Sequence, residues 1–249
     1  MPVSASLLSA SLGLRVASLD LCADEYLLLL ARPHEIAAVS RLSHDPADSP
    51  LWRTARRFPA HGRGLEAIVG ERPTQLLAMG GGGRATAAIA QRLKIASLTL
   101  DYPQSIGDVE ATMVRVARAL GDVRRADAWR RRLARLRARA PAQRDAIFLG
   151  GGGMSLAAGS LGAQWMALAG LRQRAVPGGR ATLELLATRP PQVLLRSTYR
   201  RGQVSLGQRW LDHPLARRST ARTISTDGRP WTCSGPLMLG EVERLRGLK

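Results

Sequence analysis

Short apolar runs alternate along this chain with stretches in which apolar positions recur every third or fourth residue. An apolar run about four to six residues long, closed by a turn residue and lacking polar alternation, has the signature of a strand covered on both faces in a parallel sheet. That signature predicts strands at 15–19, 36–39, 75–78 and 96–100, then at 146–149, 192–195 and, more weakly, 222–225. Helical spacing falls between them, at 23–30, 65–69, 86–93, 162–169 and 183–187. The alternation is that of α/β units.

Residues 106–140 separate the two series of strands and contain no proline; Gly121 is the one glycine away from the segment's start. Ile106, Val109, Met113, Val116 and Leu120 mark one helical stripe, and Ala126, Trp129, Leu133 and Leu136 another, so the segment is predicted to be helix throughout. Asp108 and Glu110 suit the positive end of the first stretch, and Arg135, Arg137 and Arg139 the negative end of the second. The predicted fold class is α/β: two Rossmann-like lobes, at 15–105 and 141–249, bridged by a long rigid helical connector at 106–140 that allows them little relative movement. Residues 1–14 read as an N-terminal remnant or truncated signal, small and apolar but without a basic start.

The two lobes share a phrase. Gly64-Leu65-Glu66-Ala67-Ile68-Val69 leads to Arg72-Pro73 and the strand at 75–78; Thr182-Leu183-Glu184-Leu185-Leu186-Ala187 leads to Arg189-Pro190 and the strand at 192–195. In each copy a short helix carries a glutamate near its start, proline ends the helix, and an apolar strand follows. One such glutamate is only a favourable dipole partner. An equivalent pair, one per lobe, points to a shared role.

These phrases, together with the opening Arg15-Val16-Ala17-Ser18-Leu19-Asp20-Leu21-Cys22-Ala23-Asp24-Glu25, resemble the periplasmic binding proteins that carry cobalamin or ferric siderophores for ABC importers. Gly159-Ser160 with Leu168-Ala169-Gly170-Leu171, and Trp231-Thr232-Cys233-Ser234-Gly235-Pro236, are similar to further segments of that family, so the likeness covers nearly the whole chain. It implies a non-enzymatic, monomeric, periplasmic protein that captures its ligand between two lobes and delivers it to the transmembrane subunits of a permease. It also implies that Glu66 and Glu184 dock into arginine pockets on those subunits, through charge-assisted pairs that fix the orientation of both lobes. The departures are the lack of a clear export signal and the lack of aromatic residues in the loop 79–84.

Composition narrows the remaining choices. The formal net charge is +18, but only Lys94 and Lys249 among the 37 basic residues are lysine, the bias that a GC-rich genome produces without selection for binding, so nucleic acid is not the expected partner. Cys22 and Cys233 are too few for a disulfide framework. Both fall in loops expected on the cleft side, and because a bond between them would staple the cleft, free thiols are predicted. The glycine runs 80–83 and 150–153 lack the lysine and hydroxyl of a phosphate-binding loop, so no nucleotide cofactor is expected. Of four histidines, His44 and His61 are the only candidates near strand ends, thin support for a metal, and none sits in a catalytic arrangement; an enzyme on a similar scaffold is the alternative reading.

Ligands of open α/β sheets collect beyond the carboxyl ends of the strands. The loops there offer Tyr102, Tyr199 and Trp231 as flat faces for a corrin or catecholate, and Arg41, Arg84, Arg196 and Arg200 as partners for carboxylate or catecholate oxygens.

Overall fold

The computed structural model describes residues 13–62, 66–80, 84–198, 210, 213–214 and 219–247. In the N-terminal lobe β1 (Val16–Ser18), α1 (Leu21–Leu30), β2 (Ile36–Ser40), α2 (Trp52–Ala55), β3 (Ala60–His61), α3 (Glu66–Val69), β4 (Gln75–Met79), α4 (Arg84–Arg92) and β5 (Ala96–Leu100) follow one another. Their strands form a parallel sheet in the order β3-β2-β1-β4-β5. The C-terminal lobe runs β6 (Arg144–Leu149), α7 (Leu161–Leu168), β7 (Leu171–Gln173), α8 (Leu183–Thr188), β8 (Val193–Thr198), β9 (Arg222–Asp227), α9 (Gly228–Cys233) and α10 (Met238–Gly247). Its sheet is also parallel, in the order β7-β6-β8-β9. The expected α/β class with two lobes is what the structure shows.

Between the lobes lie α5 (Ile106–Ala119) and α6 (Asp127–Ala138), joined by a single 3-10 turn at Val123–Ala126. The connector is thus a helix pair, with the two stripes read from the sequence falling on either side of a turn at Gly121. There the backbone enters the left-handed region, φ +83°, which favours glycine. The chain turns back, and Glu110 of α5 accepts hydrogen bonds from Arg130 (3.3 Å) and Arg137 (2.9 Å) of α6. Ser105 and Asp108 form a reciprocal cap at the start of α5, satisfying two backbone N–H groups that the helix itself cannot.

The apolar stripes of both connector helices are buried in one core. It runs from Val16, Leu27 and Leu77 in the first lobe, through Val109, Met113, Trp129 and Leu133, to Trp165, Leu195 and Val242 in the second. The opposite face of each sheet has its own small cluster: Ala17, Ala38, Ile68 and Leu76 in one lobe, Ile147, Leu149, Leu186 and Leu194 in the other. Polar ties reinforce the junction. Arg125 forks onto Glu35 at 2.5 and 2.8 Å, and Arg132 onto Glu243 of α10 at 2.5 and 3.1 Å.

Candidate functional site

A sheet of this kind has a switch point where the chain, having built outward in one direction, returns to build in the other. Here those points fall between β1 and β4 and between β6 and β8. The splayed loops at such a point make the crevice in which ligands sit. Beyond these strands lie Asp20 and Gly80 in one lobe and Gly150 in the other, so both glycine runs singled out from the sequence begin at switch points.

Asp20 holds the first switch point together. Its Oδ1 accepts from the N–H of Ala23 (2.9 Å), capping α1, while Oδ2 accepts from the N–H of Met79 (2.7 Å) at the end of β4. Burial pushes its carboxyl up, against the pull of those backbone N–H groups. Tyr102, after β5, lies over Gly80: a Cβ there would stand 2.8 Å from the Tyr102 ring, and φ is +67°, so glycine is required on both counts. The ring is otherwise open, 66% exposed. Leu42 after β2 (43% exposed) and Met154 after β6 (53%) add further apolar surface beyond strand ends in the two lobes. Side chains of this kind left uncovered in a crevice are what an apolar ligand face would cover.

The other predicted contacts are distributed differently. Arg41 is exposed directly after β2, and Arg84 opens α4 immediately beyond the first glycine run. Tyr199 and Arg200 lie outside the described residues. Arg196 is corrected from loop to strand, because β8 continues to Thr198; it pairs in register with Leu149 and Ser225 and is partly buried. Trp231 is corrected from ligand face to core. It is 8% exposed, its ring centroid is 4.9 Å from that of Phe148, and its indole N–H donates to Thr226 Oγ1 at 2.8 Å. The signal available in the sequence was the burial a tryptophan demands when its N–H has a nearby hydroxyl partner. Arg229 was overlooked. Anchored on Asp227, it crosses between the lobes to donate to the carbonyl of Pro46 at 2.8 Å.

His61 turns its ring nitrogens to the carbonyls of Ser18 and Gly62, both at 2.5 Å, so they are engaged by the protein's own backbone. Next to it the fully buried Asp24 accepts from the N–H of Ser40 (3.1 and 3.2 Å) and the hydroxyl of Ser43 (2.5 Å). Desolvation outweighs these bonds and pushes its carboxyl up to about 8; Glu25 beside it is raised for the same reason. Between the ordinary Asp value of 3.8 and about 8, the native state therefore holds a proton that the unfolded chain has released. Stability from this group is complete below about pH 4 and is lost as pH rises toward 8. The melting temperature is accordingly expected to fall between pH 5 and pH 8, and Asp24→Asn, which keeps a carbonyl acceptor but cannot ionise, should flatten part of that slope. A calorimetric series identical for both proteins would contradict it.

The prediction of free thiols is overturned. Cys22 at the start of α1 and Cys233 at the end of α9 form a disulfide, with Cα atoms 5.4 Å apart. The bond lies where the lobes already touch. Gly235 of the second lobe packs against Glu25 of the first, and around that contact the indole N–H of Trp165 holds Ser234 within the second lobe (2.8 Å) while that of Trp129 ties the connector to the carbonyl of Pro236 (2.9 Å). The staple ties the start of α1, just beyond β1 and its Asp20 cap, to the end of α9, which follows β9, so it joins the lobes on the strand-end side where they already meet.

Glu66 is the first residue of α3 and Glu184 the second of α8. Each helix is pinned to the outer face of its sheet two residues after the glutamate, by Ile68 and by Leu186, and each leads into the strand across the switch point, β4 or β8. The repeated phrase is thus repeated in space. Glu184 is exposed, on the edge of a shallow depression of ≈ 200 Å³ that also contains Arg180 and Arg189.

Among solved structures, this architecture is similar in fold to two-lobed periplasmic binding proteins. The periplasmic heme-binding protein HutB of Vibrio cholerae superposes with a TM-score of 0.73 and 18% identity, over 94% of this chain and 98% of that one. A periplasmic heme-binding protein from Pseudomonas aeruginosa gives 0.69 and 19%, over 94% and 91%, and the vitamin B12-binding protein BtuF of Vibrio cholerae 0.64 and 18%, over 94% and 95%. No protein-family model matches the sequence, and no curated protein does. At this level of identity what is shared is the fold.

Proposed function

We propose that this protein is the substrate-binding component of an ABC importer. It takes a bulky ring-containing ligand, a cobalamin, a heme or a ferric siderophore, into the crevice between its lobes, performs no chemistry on it, and passes it to a membrane permease. The observation that carries the reading is the pairing of two parallel sheets, each with a glycine-lined switch point, around a rigid helical joint, with Leu42, Tyr102 and Met154 left uncovered beyond the strands. A flat apolar ligand would cover those side chains, and Arg41 stands exposed at a strand end for its anionic groups. The heme and vitamin B12 named for the similar structures fit that description. A disulfide is at home in an oxidising compartment, which supports a place outside the cytoplasm.

The test is a titration of the purified protein with hemin, cobalamin and a panel of ferric siderophores, followed by tryptophan quenching and ligand absorbance. One of them is expected to bind at micromolar concentration or below and to be recovered chemically unchanged. Tyr102→Ala should weaken that binding by about tenfold, the value of one aromatic contact surface of roughly 1.4 kcal/mol. Absence of binding across the panel, or conversion of the ligand to product, would reject the reading.

A further inference from the structure

The arginines of α6 divide into two kinds by the direction they face. Those turned toward neighbouring helices meet carboxylates: Arg130 and Arg137 reach Glu110 of α5, and Arg132 reaches Glu243 of α10. Arg131 and Arg135, with Arg139 at the helix's C-cap, recur every fourth residue and so share a third side, which is exposed. None of the three is in an ion pair among the described residues; Asp127, one turn before Arg131, is engaged by Arg130 at 3.6 Å. Arg135 and Arg139 suit the helix's negative end, but like charges one turn apart offset that gain, and Arg131, a turn earlier, has no such role. No exposed aromatic side chain accompanies it on α6, as a single-stranded nucleic acid would call for, and the disulfide marks a compartment outside the cytosol, where the extended anionic surface within reach is a lipid bilayer.

We infer that the Arg131–Arg135–Arg139 row is a docking surface for an acidic phospholipid bilayer. Its three guanidiniums span about 12 Å along one side of the helix, at the rise of 1.5 Å per residue, and can each meet a headgroup phosphate. α6 ends at Ala138 and β6 begins at Arg144, so the far end of the row lies by the amino ends of the C-terminal lobe's strands. The crevice opens at the carboxyl ends, so a protein seated this way keeps its crevice toward solvent.

The experiment is sedimentation of the full chain with phosphatidylcholine vesicles, with and without phosphatidylglycerol, at low and physiological salt. Each arginine near an anionic surface contributes about fivefold, so R131Q/R135Q/R139Q should lose on the order of a hundredfold in affinity for the acidic vesicles while melting no lower than the wild type. R53Q/R56Q/R57Q removes the same charge from exposed positions in the other lobe and should lose far less. Equal losses in the two triples would reduce the effect to net charge and overturn the assignment. So would wild-type binding that ignores phosphatidylglycerol, or a row that acts on duplex DNA and not on vesicles.

Discussion

Replacing both Cys22 and Cys233 by serine is expected to cost the protein about 5 kcal/mol, the chain-entropy value for a closed loop of this length. The bond joins residues 211 apart in sequence, so nearly the whole chain lies within the loop it closes. For a domain of this size, that corresponds to a fall of roughly 10–20 °C in melting temperature. Reduction of the wild-type protein should reproduce it. A double mutant that melts with the wild type would show that the packed seam alone fixes the lobes.

The second large effect is expected in transport. Glu66→Arg combined with Glu184→Arg should abolish uptake with the protein's own permease while leaving the fold and ligand affinity intact. Removing one partner of a desolvated charge pair costs about 2–5 kcal/mol, and under the docking role that the family resemblance implies, both lobes would lose theirs and present a like charge to an arginine pocket. The fold should survive because each helix packs on its sheet through Ile68 or Leu186. Wild-type uptake by the double mutant would remove the docking role, and a parallel loss of ligand binding would move these residues into the crevice.

Much of the architecture was legible because buried parallel strands are apolar runs and because the connector's stripes are regular. β1, β2, β4, β5, β6, β8 and β9 all lie where the apolar runs put them. β3 and β7 escaped, being two and three residues long at sheet edges, where Arg172 alternates outward and no apolar run forms. The crevice was harder to read, since a side chain's direction depends on where a strand stops. Three residues more of β8 take Arg196 out of the loop, and a hydroxyl at Thr226 draws Trp231 inward. The disulfide was beyond local pattern altogether: whether Cys22 and Cys233 lie 5.4 Å apart is decided by how two lobes meet.

The continuous core that passes through α5 and α6 also bears on how a cargo would leave. Neither lobe owns the apolar surface it rests on, since Trp129, Leu133 and Met113 belong to the same packed body as Leu27 on one side and Val242 on the other. Swinging the lobes apart would tear that body open, with the Cys22–Cys233 bond resisting as well. Under the transport role proposed above, a protein joined this way would have little spring of its own with which to let go of a cargo. Unloading would then be work done on it from outside, by the membrane permease.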